Sequence, residues 1–324
     1  MSAAVIGRPS RAASVRSLSG AAHRRRTLTR LLGLLWLLDA ALQYQPFMFT
    51  QAFPDGVIRP AADGSPAWVA GPVRWAAGLL SAHLVVCNAL FATVQLAIAA
   101  GLFVAATVRL ALAASIVWAL LVWWLGEGLG STLAGPQSPL MGLPGAVVLY
   151  AVVAVLLWPP RPRAGAPDGR RGGVAVQGLL GGRGARAVWV LLWSAFAFEA
   201  LRPAEREPSA AAGMISGMAG GEPRWLVAID DLAARAVAHH GAACAVGLAA
   251  ACLVIAAGVL VPALTRAGLV LAVAVAAVIW VVGEDLGQIA TGAATDPNTG
   301  PALILLALCY WPNRRRSAPH PTFD

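Results

Sequence analysis

Residues 118–130 read WALLVWWLGEGLG, and residues 275–287 read VAAVIWVVGEDLG. Both are apolar runs closed by Gly-Glu-x-Leu-Gly: Gly126, Glu127 and Gly130 in the first, Gly283, Glu284 and Gly287 in the second. They lie 157 positions apart, and that offset aligns rare residues far on either side. Trp36 meets Trp193, Pro46 meets Pro203, Trp68 meets Trp225, His83 meets His240, Cys87 meets Cys244, Arg109 meets Arg266 and Trp123 meets Trp280. Tryptophan, histidine and cysteine matched at one fixed separation mark a tandem duplication.

The composition sets the class. Of 324 residues, 58% are hydrophobic and 12% charged, where a soluble domain carries about 25% charged residues. Eight apolar runs cross or nearly cross a bilayer: Leu31–Phe49, His83–Val104, Val108–Leu125, Leu143–Trp158, Ala187–Leu201, Ala242–Val261, Ala267–Val282 and Pro301–Trp311. The last is shorter than the ~20 residues of a spanning helix. The spacing therefore predicts an all-α, polytopic membrane protein with eight transmembrane helices in two four-helix repeats.

Charge gives the orientation. All 24 basic residues are arginine, and the net charge is +9. Most crowd into residues 1–30, the Pro/Gly/Arg-rich segment 159–185, the tail from 313, and the short turns holding Arg109 and Arg266, and few lie on the opposite side. With eight spans, all of these fall on one side, as the positive-inside rule requires. Clustering beside apolar runs argues for anionic lipid at the basic tails and against nucleic acid as partner. The expected organisation is a basic tail (1–30), a first module (31–158), a linker (159–185), a second module (186–312) and a second tail (313–324). Both termini are cytoplasmic in a bacterial plasma membrane. An even number of spans per module makes the repeats parallel rather than inverted. The first span aligns with the fifth, which lies mid-chain, so residues 31–49 read as a mature helix and not a cleaved signal. Trp225, Ile229, Leu232 and Ala236 share a helical face, which predicts an amphipathic helix on the outer surface anchored by Trp68 and Trp225.

Several residue groups are candidates for chemistry. In a continuous helix, Gly126 and Gly130, like Gly283 and Gly287, share a face and suit close helix packing. Glu127 and Glu284 then either point to headgroups and water or face a polar cavity. His83 with Cys87, and His240 with Cys244, are each four apart on one helix face. Together they make a His₂Cys₂ set suited to zinc or copper, and the histidines alone suit haem; the alternative is interfacial histidine and small apolar cysteine. Asp39 and Glu199 place one acid in the first span of each module, on a comparable stripe. Asn88 and Gln95 enrich the first module's interior, where the second has Ala245 and Cys252. Thr295–Pro301 reads as turn chemistry before a helix. The four cysteines form no disulfide framework, and no phosphate loop, HExxH or nucleophile elbow is present in the sequence.

Each module resembles the DoxX-type four-helix membrane family. The resemblance rests on a first span, LLGLLWLLDAALQYQPFMF (residues 31–49), and on a second span ending in a Gly-Leu stretch with an arginine at the following turn. IAAGLFVAATVRLALAAS (98–115) carries Arg109, and VLVPALTRAGLVL (259–271) carries Thr265-Arg266, similar to the family's GL-x-TR signature. The resemblance implies a redox-associated membrane subunit of the kind linked to thiosulfate:quinone oxidoreduction or to thiol enzymes. It implies a quinone, haem or metal near the outer leaflet and a redox partner protein. The residues themselves leave two alternatives open: a transporter or channel for a small solute or metal ion, and a non-catalytic scaffold.

Overall fold

The computed structural model describes residues 11–135, 137–159, 176 and 178–312. The tail from 313, residues 1–10 and most of the linker expected at 159–185 lie outside the described residues. Those described are helical and turn segments, with no strand among them.

The order is α1 (Arg11–Leu42), α2 (Ala67–Ala82), α3 (Leu84–Phe103), α4 (Val108–Leu125), α5 (Ala146–Leu157), α6 (Gly181–Ala200), α7 (Ala210–Met218), α8 (Arg224–Val237), α9 (Gly241–Gly258), α10 (Thr265–Val278) and α11 (Thr299–Tyr310). Four segments are long and apolar enough to cross a membrane: Leu84–Phe103, Val108–Leu125, Gly241–Gly258 and Thr265–Thr291. Their outward faces expose large apolar side chains, among them Val86, Leu110, Val254 and Val278. Such a surface suits a lipid solvent. α1 starts inside the expected basic tail and runs unbroken into the first apolar run.

Helix α1 packs along α3, α3 along α4, and α4 along α5; α6, α9, α10 and α11 repeat the sequence of contacts. α5 and α11 pack against each other at the centre. Both are apolar on every side, the pattern of a helix surrounded by protein, and most of their residues are buried. Trp36, Tyr150, Trp189, Trp193 and Tyr310 fill the space around them. The close backbone approach that small residues permit occurs between α9 and α10, where a Cβ on Gly258 would lie 3.1 Å from the Gly268 Cα.

α8 presents Trp225, Ile229 and Leu232 outward and buries Leu226, Asp230 and Ala234. The apolar face expected from the sequence is thus turned away from the protein, as a helix resting on lipid needs.

Candidate functional site

The two central helices pose a problem that the Gly-Glu-x-Leu-Gly elements solve. α5 and α11 have 12 residues each, so each is about 18 Å long at 1.5 Å per residue. A hydrocarbon core is ~30 Å thick. Their ends therefore fall short of the membrane surfaces, and a helix end left without partners carries unsatisfied N–H or C=O groups. Within a membrane such groups must be met by protein.

At the arginine-poor end, glutamates meet them. Glu284 Oε2 accepts the N–H of Gly300 at 2.9 Å, while Oε1 accepts the N–H of Thr299 at 3.2 Å and the Thr299 hydroxyl. Glu127 accepts the N–H of Val147 in the first turn of α5. A carboxylate there also complements the helix dipole. At the opposite end, Arg24 donates to the Leu308 carbonyl at 2.8 Å. Arg25 donates to the carbonyls of Leu157, at 3.3 Å, and Trp158. The basic segment expected to lie on anionic lipid thus places these two guanidinium groups on the C-terminal ends of α11 and α5.

The turns that carry the glutamates are not helical. Beyond Glu127, four successive residues take the left-handed conformation: Gly128, Leu129, Gly130 and Ser131, with φ of 55, 61, 61 and 54°. Asp285, Leu286, Gly287 and Gln288 follow suit at 45, 55, 76 and 54°. The helix-packing expectation for Gly126, Gly130, Gly283 and Gly287 is therefore corrected. The chain reverses hand within each element, so glycines four apart do not share a helix face. Gly130, Gly283 and Gly287 serve backbone contact with loops instead, while Gly126 faces the Val122 carbonyl of its own helix. A Cβ on Gly130 would strike the Pro144 carbonyl, one on Gly283 the Leu140 carbonyl, and one on Gly287 would lie 2.7 Å from the Pro297 carbonyl carbon. Each turn is tied down by an indole: Trp123 donates to Pro144 at 2.7 Å, and Trp280 to Pro297 at 2.9 Å.

Between the two turns lies a cavity of about 290 Å³. Glu127, Gly130 and Ser131 line it from the first half of the chain, and Gln288, Asp296 and Asn298 from the second. Among the described residues, no arginine or histidine lines it. The two glutamates differ here. Glu284 is fully buried, and both its oxygens are occupied by capping α11. Glu127 keeps its Oε2 buried without a hydrogen-bond partner. Burial, then the charge of Asp296, pushes the Glu127 carboxyl well above the ordinary range, against the pull of the Val147 N–H. Burial also raises Asp296, opposed by bonds from the Thr295 hydroxyl and the Asn298 N–H.

Asp39 sits in the last turn of α1, 1% exposed. The Tyr150 hydroxyl donates to its Oδ1 at 3.4 Å, and Oδ2 has no partner. Asp39 lies close enough to Asp296 and Glu127 for their charges to act on it. Glu199 is elsewhere: it faces Arg202 at 3.8 Å. The comparable stripe expected for the two acids thus leads to different surroundings.

His83 and His240 are exposed at the starts of α3 and α9, with Cys87 and Cys244 half-buried beside them. Among the described residues, no group of three or more His, Cys, Asp or Glu side chains is arranged to hold a metal ion. The joint His₂Cys₂ set is therefore not assembled within the chain, because α3 and α9 belong to separate helix groups.

Asp296 is the site residue that sequence reasoning missed. Its turn role holds: Oδ1 accepts the Asn298 N–H at 2.7 Å, and Asn298 in turn caps α11. The same carboxylate also faces the cavity, which no spacing signals. Comparison with family models, curated proteins and solved structures finds no match for this chain.

Proposed function

We propose that this chain is a multi-pass membrane protein of two parallel four-helix modules. Its inter-module cavity binds a small cation rich in N–H donors, as the substrate site of a transporter. The observation that carries the proposal is the cavity itself: among the described residues its lining offers two carboxylates, amide and hydroxyl groups, and neither a basic side chain nor an aromatic ring. Recognition there falls to hydrogen bonds and charge rather than to a cation–π cage. A primary ammonium or a guanidinium matches that lining.

The duplication is supported by element bounds. α2, α3 and α4 start at 67, 84 and 108, and α8, α9 and α10 start at 224, 241 and 265, each 157 later. α11 starts 153 after α5, because the second module's loop is shorter. The positive-inside pattern puts the cavity on the outer side. Inward of it, Asp39, Gln43, Asn88 and Gln95 bring buried polar groups between α1 and α3, and each has an oxygen without a partner. Below Gln95 the packing is apolar, through Ile98, Leu102, Leu28 and Leu32. Buried polar groups beside the cavity and apolar packing towards the arginine-rich end suit a transporter.

The experiment is calorimetric titration of the full chain in nanodiscs with methylguanidinium, with tetramethylammonium as a cation that cannot donate. Binding of the first alone, weakened at least tenfold by Glu127→Gln or Asp296→Asn, is the expected result. Absent or unchanged binding overturns the proposal. Stoichiometric haem, quinone or metal in the purified protein would favour the redox subunit that the DoxX-type resemblance implies.

A further inference from the structure

We propose that a cation entering the cavity displaces a proton from the carboxyl cluster of Glu127, Asp296 and Asp39, so that binding and proton release are coupled. This rests on the cation-binding proposal above and adds a second step to it.

The geometry behind it is a group of acids with no counter-charge among the described residues. Glu127 and Asp296 line the cavity from opposite modules. Asp39 stands behind them in the last turn of α1, buried, with one oxygen unpartnered. Each element packed around Asp39 adds either another acid or a neutral group. α5 contributes the Tyr150 hydroxyl, the left-handed turn after α4 contributes Glu127, and the loop before α11 contributes Asp296. From α3 the nearby polar group is the amide of Asn88, which donates to the Gln43 carbonyl at 2.6 Å. Asp296 also acts on Glu284, which is held on the α11 terminus. The ion pairs among the described residues are Asp55–Arg59 and Glu199–Arg202, and neither includes a member of the cluster.

Like charges this close in a poorly solvated space are not all ionised together, so the cluster holds protons when the cavity is empty. A cation supplies the missing positive charge. The balance is simple: a carboxylic acid and a cation give a carboxylate–cation pair and one proton, which leaves through the cavity mouth. The released proton is the coupling currency of an exchanger, with cation and proton competing for one set of carboxylates.

The test is calorimetric titration of methylguanidinium into the full chain in nanodiscs, in two buffers of different ionisation heat, at pH 6, 7 and 8. About one proton released per cation bound is expected, with Kd tightening about tenfold per pH unit across the window. The wild-type buffer pair decides the matter without any variant. Binding with no proton release and a Kd independent of pH overturns the coupling and leaves the cation site standing. No binding at any pH overturns both.

Discussion

Glu284 Oε2 accepts the backbone N–H of Gly300 at 2.9 Å, across the reversed turn that separates α10 from α11. The side chain that ends one helix thus starts the next. Its counterpart Glu127 reaches the N–H of Val147 in the same manner, but only Glu284 occupies both oxygens in doing so. One copy of the duplicated element is a structural cap. The other is a cap with an oxygen to spare beside a cavity.

Removing the structural cap should destabilise the protein. Glu284→Ala leaves the Gly300 N–H and the Thr299 hydroxyl buried without their acceptor, while the Thr299 N–H keeps Asn298 Oδ1, at a cost of ~2–3 kcal/mol. Glu284→Gln keeps one acceptor and should lose less. Thermal unfolding in detergent ranks the two; equal losses would show that the cap contributes nothing.

The reversed turns should tolerate no Cβ beyond those they have. Gly130→Ala places a methyl group against the Pro144 carbonyl at a left-handed φ, and the conformation alone costs ~1–2 kcal/mol. Gly78→Ala, in α2 with open space around it, should be neutral or stabilising by up to ~1 kcal/mol. Expression and thermal midpoints of the two variants should diverge.

Stability should fall as pH rises. Burial raises the Glu127 and Asp296 carboxyls in the folded state above the value of about 4 that they have in the unfolded chain. Their contribution is full below that value and is lost as pH climbs toward the raised folded values. The thermal midpoint should decline from pH 4.5 to 8, and Glu127→Gln should flatten the decline. A midpoint that climbs over this range would contradict the protonated cluster.

The arginine clasp should matter at the opposite end. Arg24→Ala removes a charged donor from the Leu308 carbonyl and should cost ~1.5–3 kcal/mol. Arg24→Lys should recover part of it. If Arg24→Ala unfolds at the wild-type temperature, α11 needs no such cap.

The proposed parallel repeats put equivalent positions on the same side. In a background without the native cysteines, Gln51→Cys and Pro208→Cys should both react with an impermeant thiol reagent added outside. Ala106→Cys and Ala263→Cys should react only after permeabilisation. All four positions are exposed. Labelling of Gln51→Cys and Pro208→Cys from opposite sides would mean inverted modules.

The sequence by itself determined the helical class, the apolar runs and the recurrence of Gly-Glu-x-Leu-Gly, because hydropathy and identity along the chain are local properties. It marked Glu127, Glu284 and Asp39 as candidates for the same reason: an acid at the edge of an apolar run stands out. It misjudged the glycines, because spacing four suggests one helix face only while the chain stays helical, and hand reversal at Gly128–Ser131 leaves no periodic trace. Only the tertiary structure decided that Glu284 is occupied and Glu127 is not, since each cap depends on where α5 and α11 begin relative to a turn some fifteen residues earlier. It also brought Asp296 and Glu127 to one cavity. A carboxylate's neighbours in a folded membrane protein are set by helix packing, and packing brings together residues whose distance along the chain carries no signal.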